Sequence, residues 1–307
     1  MKSSRYNYIL YSDSHSYWYN TLTHSFFRLS KGLGEKIEGL SGDIEQLREA
    51  APTYFEKLVN FGFVVEDDFD ELEALRLRHR ESVNKKDYFL IILPTLNCNY
   101  SCWYCIQDHI SSVMSEETME SIKRHIEYMI DVEKIESLHL EWFGGEPFMF
   151  FNRVVEPLSR FALELCEKKG IPFRNGATTN GYFISNEIIP QLKELKFVQF
   201  QITLDGEKQF HDKVKFTKGC ESTFEHVLRN INDILVSNED TTMILRINYT
   251  HETLTPKIVE QVNQFISESV RKRVVITPKK VWQENTDKDF GPTLIEIKNL
   301  FRQSGYT

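Results

Sequence analysis

Cys98, Cys102 and Cys105 stand in CNYSCWYC, a C-x3-C-x2-C triplet just after the apolar run YFLIILPT. Thiolates are the protein ligands of iron–sulfur clusters, and a [4Fe–4S] cube is commonly held by four of them. Three thiolates can hold three irons of a cube and leave the fourth open to a ligand that is not protein. A second chemistry is open to the same residues. His109 lies four residues past Cys105 and completes a set of three cysteines and one histidine at spacing that suits zinc. A disulfide framework is disfavoured, because five cysteines in 307 residues are sparse and odd in number and no signal-like segment precedes them. Cys166 and Cys220 have no spaced partners and read as a buried helix residue and a loop residue.

The elements that must position the triplet alternate from residue 88 onward. Strand candidates are 88–95, 135–142, 171–179, 197–204, 241–250 and 273–282. Helical patterns fall at about 115–132, 152–169, 185–195, 221–237, 255–271 and 292–304. In the clearest of them Phe224, Val227, Leu228, Ile231, Ile234 and Leu235 repeat at helical spacing, and Ser222 with Glu225 predicts a capping box. The basic run Arg271-Lys272-Arg273 closes a helix, where cations favour the C-terminal dipole, and is expected to need no further role. Six β-then-α units in a row imply a parallel sheet with right-handed crossovers, two units short of a closed eight-stranded barrel. In FVQFQITLDG, Gln199, Gln201, Thr203 and Asp205 alternate with Phe200, Ile202 and Leu204. A strand under helices should be apolar on both faces, so the polar row implies a lumen holding water or ligand. MILRINYT repeats the pattern with Arg246 and Asn248. The competing reading is a pair of edge strands with a solvated face.

Further strings sit at the C-terminal ends of these strands, where α/β barrels build their sites: Gly144-Gly145-Glu146-Pro147 after the second, Thr178-Thr179-Asn180-Gly181 after the third and Thr203-Leu204-Asp205-Gly206 after the fourth. Paired glycines let a backbone approach a ligand closely. Taken singly each string could be an ordinary turn, but in this order after C-x3-C-x2-C they resemble the radical SAM enzymes from about residue 88 to 290. The resemblance implies an α/β fold, an open six-stranded (β/α)6 partial TIM barrel. It implies a [4Fe–4S] cluster on Cys98, Cys102 and Cys105, with S-adenosylmethionine (SAM) on the open iron. The implied SAM contacts are Gly144, Gly145, Glu146 and Pro147 at the methionine amino group, Asn180 in the segment like the family's TNG, and Thr203 and Asp205 beside the ribose. Arg246 and Asn248 on the fifth strand and Tyr104 beside the adenine complete the set. The implied chemistry is one-electron cleavage of SAM to methionine and a 5′-deoxyadenosyl radical, which abstracts hydrogen from an unactivated substrate carbon. A one-electron donor such as flavodoxin or ferredoxin would feed the cluster.

Two features depart from the peptide-modifying branch of that family. Its HD-x-x-R segment reads His211-Asp212-Lys213-Val214-Lys215 here, and lysine loses the bidentate fork of arginine, which puts a carboxylate-gripping role in doubt. No cysteine follows Cys220, so the clusters of a C-terminal SPASM extension have no ligands in this sequence, whether the extension is lacking or cut away.

Residues 1–85 are aromatic, charged and without β-α alternation, and residues 86–307 are expected to form the barrel. YNYILYS and SYWYNTLTHSFFRL suggest a hairpin turning at Asp13-Ser14-His15-Ser16, followed by helix around 43–61, GFVVEDD, and the helix DELEALRLRHRES. The layout resembles the small α+β, winged-helix-like leader-recognition domain of enzymes that modify ribosomally made peptides, which captures a peptide by strand addition. A structural cap on the barrel is the competing reading. A short polar hinge is expected at 82–87, near Asn84. Net charge −8 argues against a nucleic-acid partner. No apolar run is long enough for a membrane span, and the polar, aromatic start reads as mature protein, so a cytoplasmic location is expected. The first functional expectation is an enzyme that modifies a ribosomally made precursor peptide. A maturase of protein side chains, like the anaerobic sulfatase-maturating enzymes, is the second. A peptide-binding partner protein with a zinc site is the third.

Overall fold

The computed structural model describes residues 1–83 and 86–307; Asn84, at the expected hinge, lies outside the described residues. The chain divides into two compact units, Met1–Lys85 and Lys86–Thr307.

The first unit runs β1 (Lys2–Ser3), β2 (Asn7–Tyr11), β3 (His15–Asn20), β4 (Ser25–Ser30), α1 (Lys31–Leu40), α2 (Ile44–Ala50), α3 (Pro52–Asn60), β5 (Val64–Val65) and α4 (Glu71–Val83). Strands β2, β3 and β4 form an antiparallel meander, where the sequence suggested a single hairpin. The second turn arises because the Asn20 Oδ1 accepts the N–H groups of Leu22 and Thr23 at 3.0 and 2.9 Å, an Asx turn that competes with strand extension. Helix α1 was also missed. Its glycines lower helix propensity, yet Gly34 lets it lie on β3, since a Cβ there would stand 1.9 Å from the Ser16 hydroxyl. Trp18, stacked on Phe27 at 5.8 Å, and Phe63 anchor this unit's core.

The second unit runs β6 (Asp87–Ile92), α5 (Glu116–Asp131), β7 (Ser137–Trp142), α6 (Glu156–Lys169), β8 (Phe173–Thr179), α7 (Ile189–Glu194), β9 (Phe197–Asp205), α8 (Lys208–Val214), α9 (Thr223–Ser237), β10 (Thr242–Tyr249), α10 (Lys257–Asn263), β11 (Val274–Lys280) and α11 (Gly291–Gln303). All five strand pairings are parallel, in the open order β6-β7-β8-β9-β10-β11. The unit is an α/β partial barrel of six strands. Strands β9 and β10 are interior, which removes the edge-strand reading of their polar rows. The apolar row of β9, Phe200, Ile202 and Leu204, is fully buried and packs with Phe197 and Phe148 under the helices.

Half of the expected capping box forms. The Ser222 hydroxyl accepts the Glu225 N–H at 3.2 Å, but the Glu225 carboxylate turns to Lys208 and Arg229 at 2.6 and 2.7 Å. The helix expected over 255–271 is broken into α10 and a 3-10 turn, Glu268–Arg273. Its basic run does more than meet a dipole. Arg271 is buried and donates to the carbonyls of Asn263, Ile266 and Ser304 at 2.9, 3.0 and 3.2 Å. Arg273 donates to Leu235, Asn238 and Thr241 carbonyls. Carbonyls at helix ends have no partner within the helix, and these guanidinium forks supply one. Among the described residues no helix is long and apolar enough to cross a membrane.

Truncating Phe200 to alanine removes a fully buried ring at the centre of this layer and should cost about 3–5 kcal/mol. Chemical denaturation of Phe200→Ala checks it; a loss below about 1 kcal/mol would mean that β9 is not a core strand.

Candidate functional site

The loop from β6 to α5 carries the three cysteines. Its ends are pinched together, because the Thr95 hydroxyl donates to the Ser112 carbonyl at 2.5 Å and the Met114 N–H donates to the Pro94 carbonyl at 2.8 Å. Inside the loop the Cys105 N–H donates to the Cys102 carbonyl at 2.9 Å, which turns the last two cysteines back on each other. The Cys98 sulfur accepts the Tyr100 N–H at 3.4 Å and lies 3.8 Å from the Asn180 side-chain nitrogen. Burial raises the Cys98 thiol, and it pushes the Cys102 thiol up to about 11. Thiols must lose their protons to bind iron, and donors aimed at sulfur favour the charged form. Among the described residues, no three His, Cys, Asp or Glu side chains are already gathered as a metal site. The three thiols instead share the lining of one cavity of about 370 Å³, within the size range of ligand sites.

The turn after β7 shows what its glycines admit. A Cβ on Gly144, whose φ is +120°, would sit 2.4 Å from the Thr95 carbonyl oxygen, and one on Gly145 would sit 2.0 Å from that of Asn97. The Gly145 and Glu146 N–H groups donate to those same carbonyls at 3.1 and 2.9 Å. The close approach expected for a ligand is thus made first by the cysteine loop's own backbone, although both glycines also line the cavity. Glu146 and Pro147 are buried and do not line it. The Glu146 carboxylate accepts from the Phe148 N–H at 2.9 Å, the Thr179 hydroxyl at 2.7 Å and the Asn180 N–H at 2.8 Å. It ties the end of β7 to the end of β8. Burial outweighs those three donors and pushes its carboxyl up to about 7.

Asn180, Thr203, Arg246, Asn248 and Tyr104 all reach the cavity. The Arg246 Nε–H donates to Asn248 Oδ1 at 2.8 Å, and the Asn180 amide donates to Asn99 at 2.8 Å. Asp205 lies behind this lining. One carboxylate oxygen accepts from the Tyr104 hydroxyl, and the other is 2.9 Å from Lys215 Nζ. Lys215 is buried, also donates to the Thr203 carbonyl at 2.6 Å, and lines the cavity. The carboxylate that Lys215 meets is the chain's own Asp205, paired as a point charge without a bidentate fork. Burial beside Asp205 holds the Tyr104 phenol far above its usual range, and burial holds His211 well below its own. His211 Nδ1 accepts the Asp205 N–H at 3.2 Å.

Sequence reasoning missed Gln283, whose side chain donates to the Tyr104 carbonyl at 2.9 Å, and the exposed Trp282 and Ile106 at the cavity's rim. No spacing signal marks these loop residues. It also missed His139 and Glu141, which follow the alternation already seen in β9 and could have been found by it. His109 lines the same cavity.

Strand ends, a glycine turn and three thiols thus meet in one cavity of an open parallel sheet, as the resemblance to the cluster-and-SAM enzymes implied. The model of the radical SAM superfamily matches residues 92–255, and the chain belongs to that family, whose members use a [4Fe–4S] cluster and SAM. The zinc-site reading is thereby set aside. Relatives include a serine-type anaerobic sulfatase-maturating enzyme of Bacteroides thetaiotaomicron, 25% identical over 160 residues, 48% of this chain and 36% of that protein. The radical SAM cyclopropyl synthase TigE of Paramaledivibacter caminithermalis is 23% identical over 219 residues, 64% of this chain and 43% of that protein. The chain thus spans less than half the length of these two relatives. The solved structure of native anSMEcpe with bound AdoMet and a peptide shares the fold, with TM-score 0.51 at 22% identity over 71% of this chain and 60% of that one.

Three thiols without a fourth, with a backbone N–H aimed at one of them, fit a cube that keeps one iron open. Protein reconstituted anaerobically should hold about four irons and four sulfides, and Cys102→Ala should lose both in an iron and sulfide assay; stoichiometric zinc would overturn the assignment. Glu146 makes a second expectation. Folded protein keeps its proton up to about 7 while the unfolded chain releases it near 4.5, so this group's contribution to stability falls as pH rises through that window, by up to about 3 kcal/mol. Denaturation of the metal-free protein between pH 4.5 and 8 should show that slope, and Glu146→Gln should flatten it.

Proposed function

We propose that the chain is a radical SAM maturase that acts on a ribosomally made precursor peptide. In this reading Cys98, Cys102 and Cys105 hold the cluster, while Gly144, Gly145, Asn180, Thr203, Arg246, Asn248 and Tyr104 receive SAM along the strand ends. Glu146, Pro147 and Asp205 act on that site from behind. When bound, cluster and SAM supply a carbon radical able to take hydrogen from an unactivated carbon. The residues of the chain hold, orient and exclude water. Glu146 locks the glycine turn to Asn180, Lys215 and Tyr104 hold Asp205, and Gln283 keeps the loop after β11 against Tyr104. The observation that carries the reading is the convergence of all three thiols and seven polar or glycine positions on one cavity. A one-electron donor such as flavodoxin or ferredoxin would serve it in the cytoplasm.

The peptide assignment draws on the first unit. The outer face of its meander exposes Tyr8, Leu10 and Phe26, and β2 and β4 are the outer strands of the three-stranded order, unpaired on their far sides among the described residues. An edge with exposed apolar side chains suits strand addition by an extended peptide. A protein side chain as the target is the second reading, favoured by the sulfatase-maturating relative.

With dithionite and SAM the reconstituted protein should form 5′-deoxyadenosine, detected by chromatography. Deleting residues 1–85 should abolish binding of a synthetic peptide encoded by a small neighbouring open reading frame, yet leave uncoupled SAM cleavage measurable. Parental peptide affinity in the deleted protein would make residues 1–85 a structural cap, and so would loss of the cluster.

A further inference from the structure

The middle of the lumen carries a charged group that the strand-end chemistry does not use. A second cavity of about 370 Å³ adjoins the first and shares Phe143, Thr178 and Gln201 with it. Of the residues that line it, Glu141 alone is ionisable. Phe89, Ile91 and Phe143 give it apolar walls that are 52%, 54% and 38% exposed, surface that an occupant would cover.

A directional chain holds Glu141. The Arg174 Nε–H donates to His139 Nδ1 at 2.8 Å, and His139 Nε2 stands 3.2 Å from Glu141 Oε2. A guanidinium nitrogen can only donate, so Nδ1 accepts and the ring proton sits on Nε2, where it donates to Glu141. The imidazole in this arrangement is neutral, and it aims the carboxylate without cancelling its charge. The Thr178 hydroxyl donates to the other oxygen at 3.3 Å. A carboxylate offers about four lone-pair sites, so these two bonds leave capacity unused. Arg174 itself is exposed, and solvent screens its charge. Gly176 on the neighbouring strand leaves the room the pair occupies, because a Cβ there would meet Glu141 Oε2 at 2.2 Å and His139 Nε2 at 2.9 Å.

We propose that this cavity receives a basic side chain of the substrate, an ammonium or guanidinium on a flexible stem, with Glu141 as its counter-charge. The proposal rests on the maturase reading. An apolar occupant would bury the carboxylate without a counter-charge, which is costly, and an acidic one would be repelled. A basic side chain meets both demands: its methylenes lie along Phe89 and Ile91 while its head reaches Glu141. The volume is at the small end of ligand sites and suits one side chain of a longer peptide.

The test is a saturation-transfer NMR titration of the full chain, reconstituted with cluster and SAM. The probes are Nα-acetyl-lysine methylamide and Nα-acetyl-norleucine methylamide, which differ only in the amine. The lysine probe should bind about tenfold more tightly. Glu141→Gln should shrink that preference to under about twofold, and Glu141→Lys should turn it toward Nα-acetyl-glutamate methylamide. Equal binding of the lysine and norleucine probes by the unmutated protein overturns the proposal, and this arm needs no variant to fold. A preference that survives in folded Glu141→Gln overturns it too. A protein that cleaves SAM and modifies a peptide without any lysine preference loses this inference and keeps the maturase reading; one with the preference and no SAM cleavage does the reverse.

Discussion

The site depends on a seam between two stretches of backbone. Thr95–Asn97, leading into the cysteine loop, lies so close to Gly144–Glu146 that neither glycine position has room for a Cβ, and the Gly145 and Glu146 N–H groups donate to the Thr95 and Asn97 carbonyls at 3.1 and 2.9 Å. Peptide groups are stiff and their bonds directional, so the seam fixes where β6 ends relative to β7. The buried Glu146 carboxylate carries the alignment on to β8 through Thr179 and Asn180. Three strand ends are thereby locked in register before any cofactor is considered. Asn180, last in that chain, is also the residue whose amide lies beside the Cys98 sulfur.

A second tie crosses from the cysteine loop to the fourth barrel strand. Asp205 joins Tyr104, Lys215 and, through its backbone, His211. Removing one member of such a buried charged pair strands the other, so the cluster of side chains behaves as a unit. Lysine serves where a fork might be expected because it divides its donors between Asp205 and the Thr203 carbonyl. The loop after β11 closes on the same tyrosine through Gln283, so Tyr104 ties the cysteine loop to the end of β9 and to the loop after β11, which are far apart in sequence.

The lumen follows from a conflict between two demands on each strand. One face of β9 must be apolar to pack under helices, and Phe200, Ile202 and Leu204 are fully buried there. The other face carries Gln199, Gln201 and Thr203, which line the two cavities. Amides and hydroxyls on an interior strand keep the barrel open to ligand and solvent, where a Leu or Val row would close it into a packed core.

The alternation of elements, the polar row and the three cysteines were legible in the sequence because period-2 and helical patterns are local properties of the chain. Ends and breaks were less so. The expected helix over 255–271 ends at Asn263, and Arg271 donates to carbonyls of Asn263, Ile266 and Ser304, partners brought to it by the elements packed around it. Helix α1 forms against the propensity of its glycines, and the missing side chain at Gly34 is what lets it lie on β3. Likewise, sequence alone determined which residue types could bind a cluster and in what order they met the strands. Only the tertiary structure decided that Glu146 and Asp205 stand behind the cavity, that Lys215 grips the chain's own carboxylate, and that Glu141 faces the lumen on a neutral histidine. Those outcomes depend on how strands and loops from different parts of the chain come together, and spacing along a chain does not encode them.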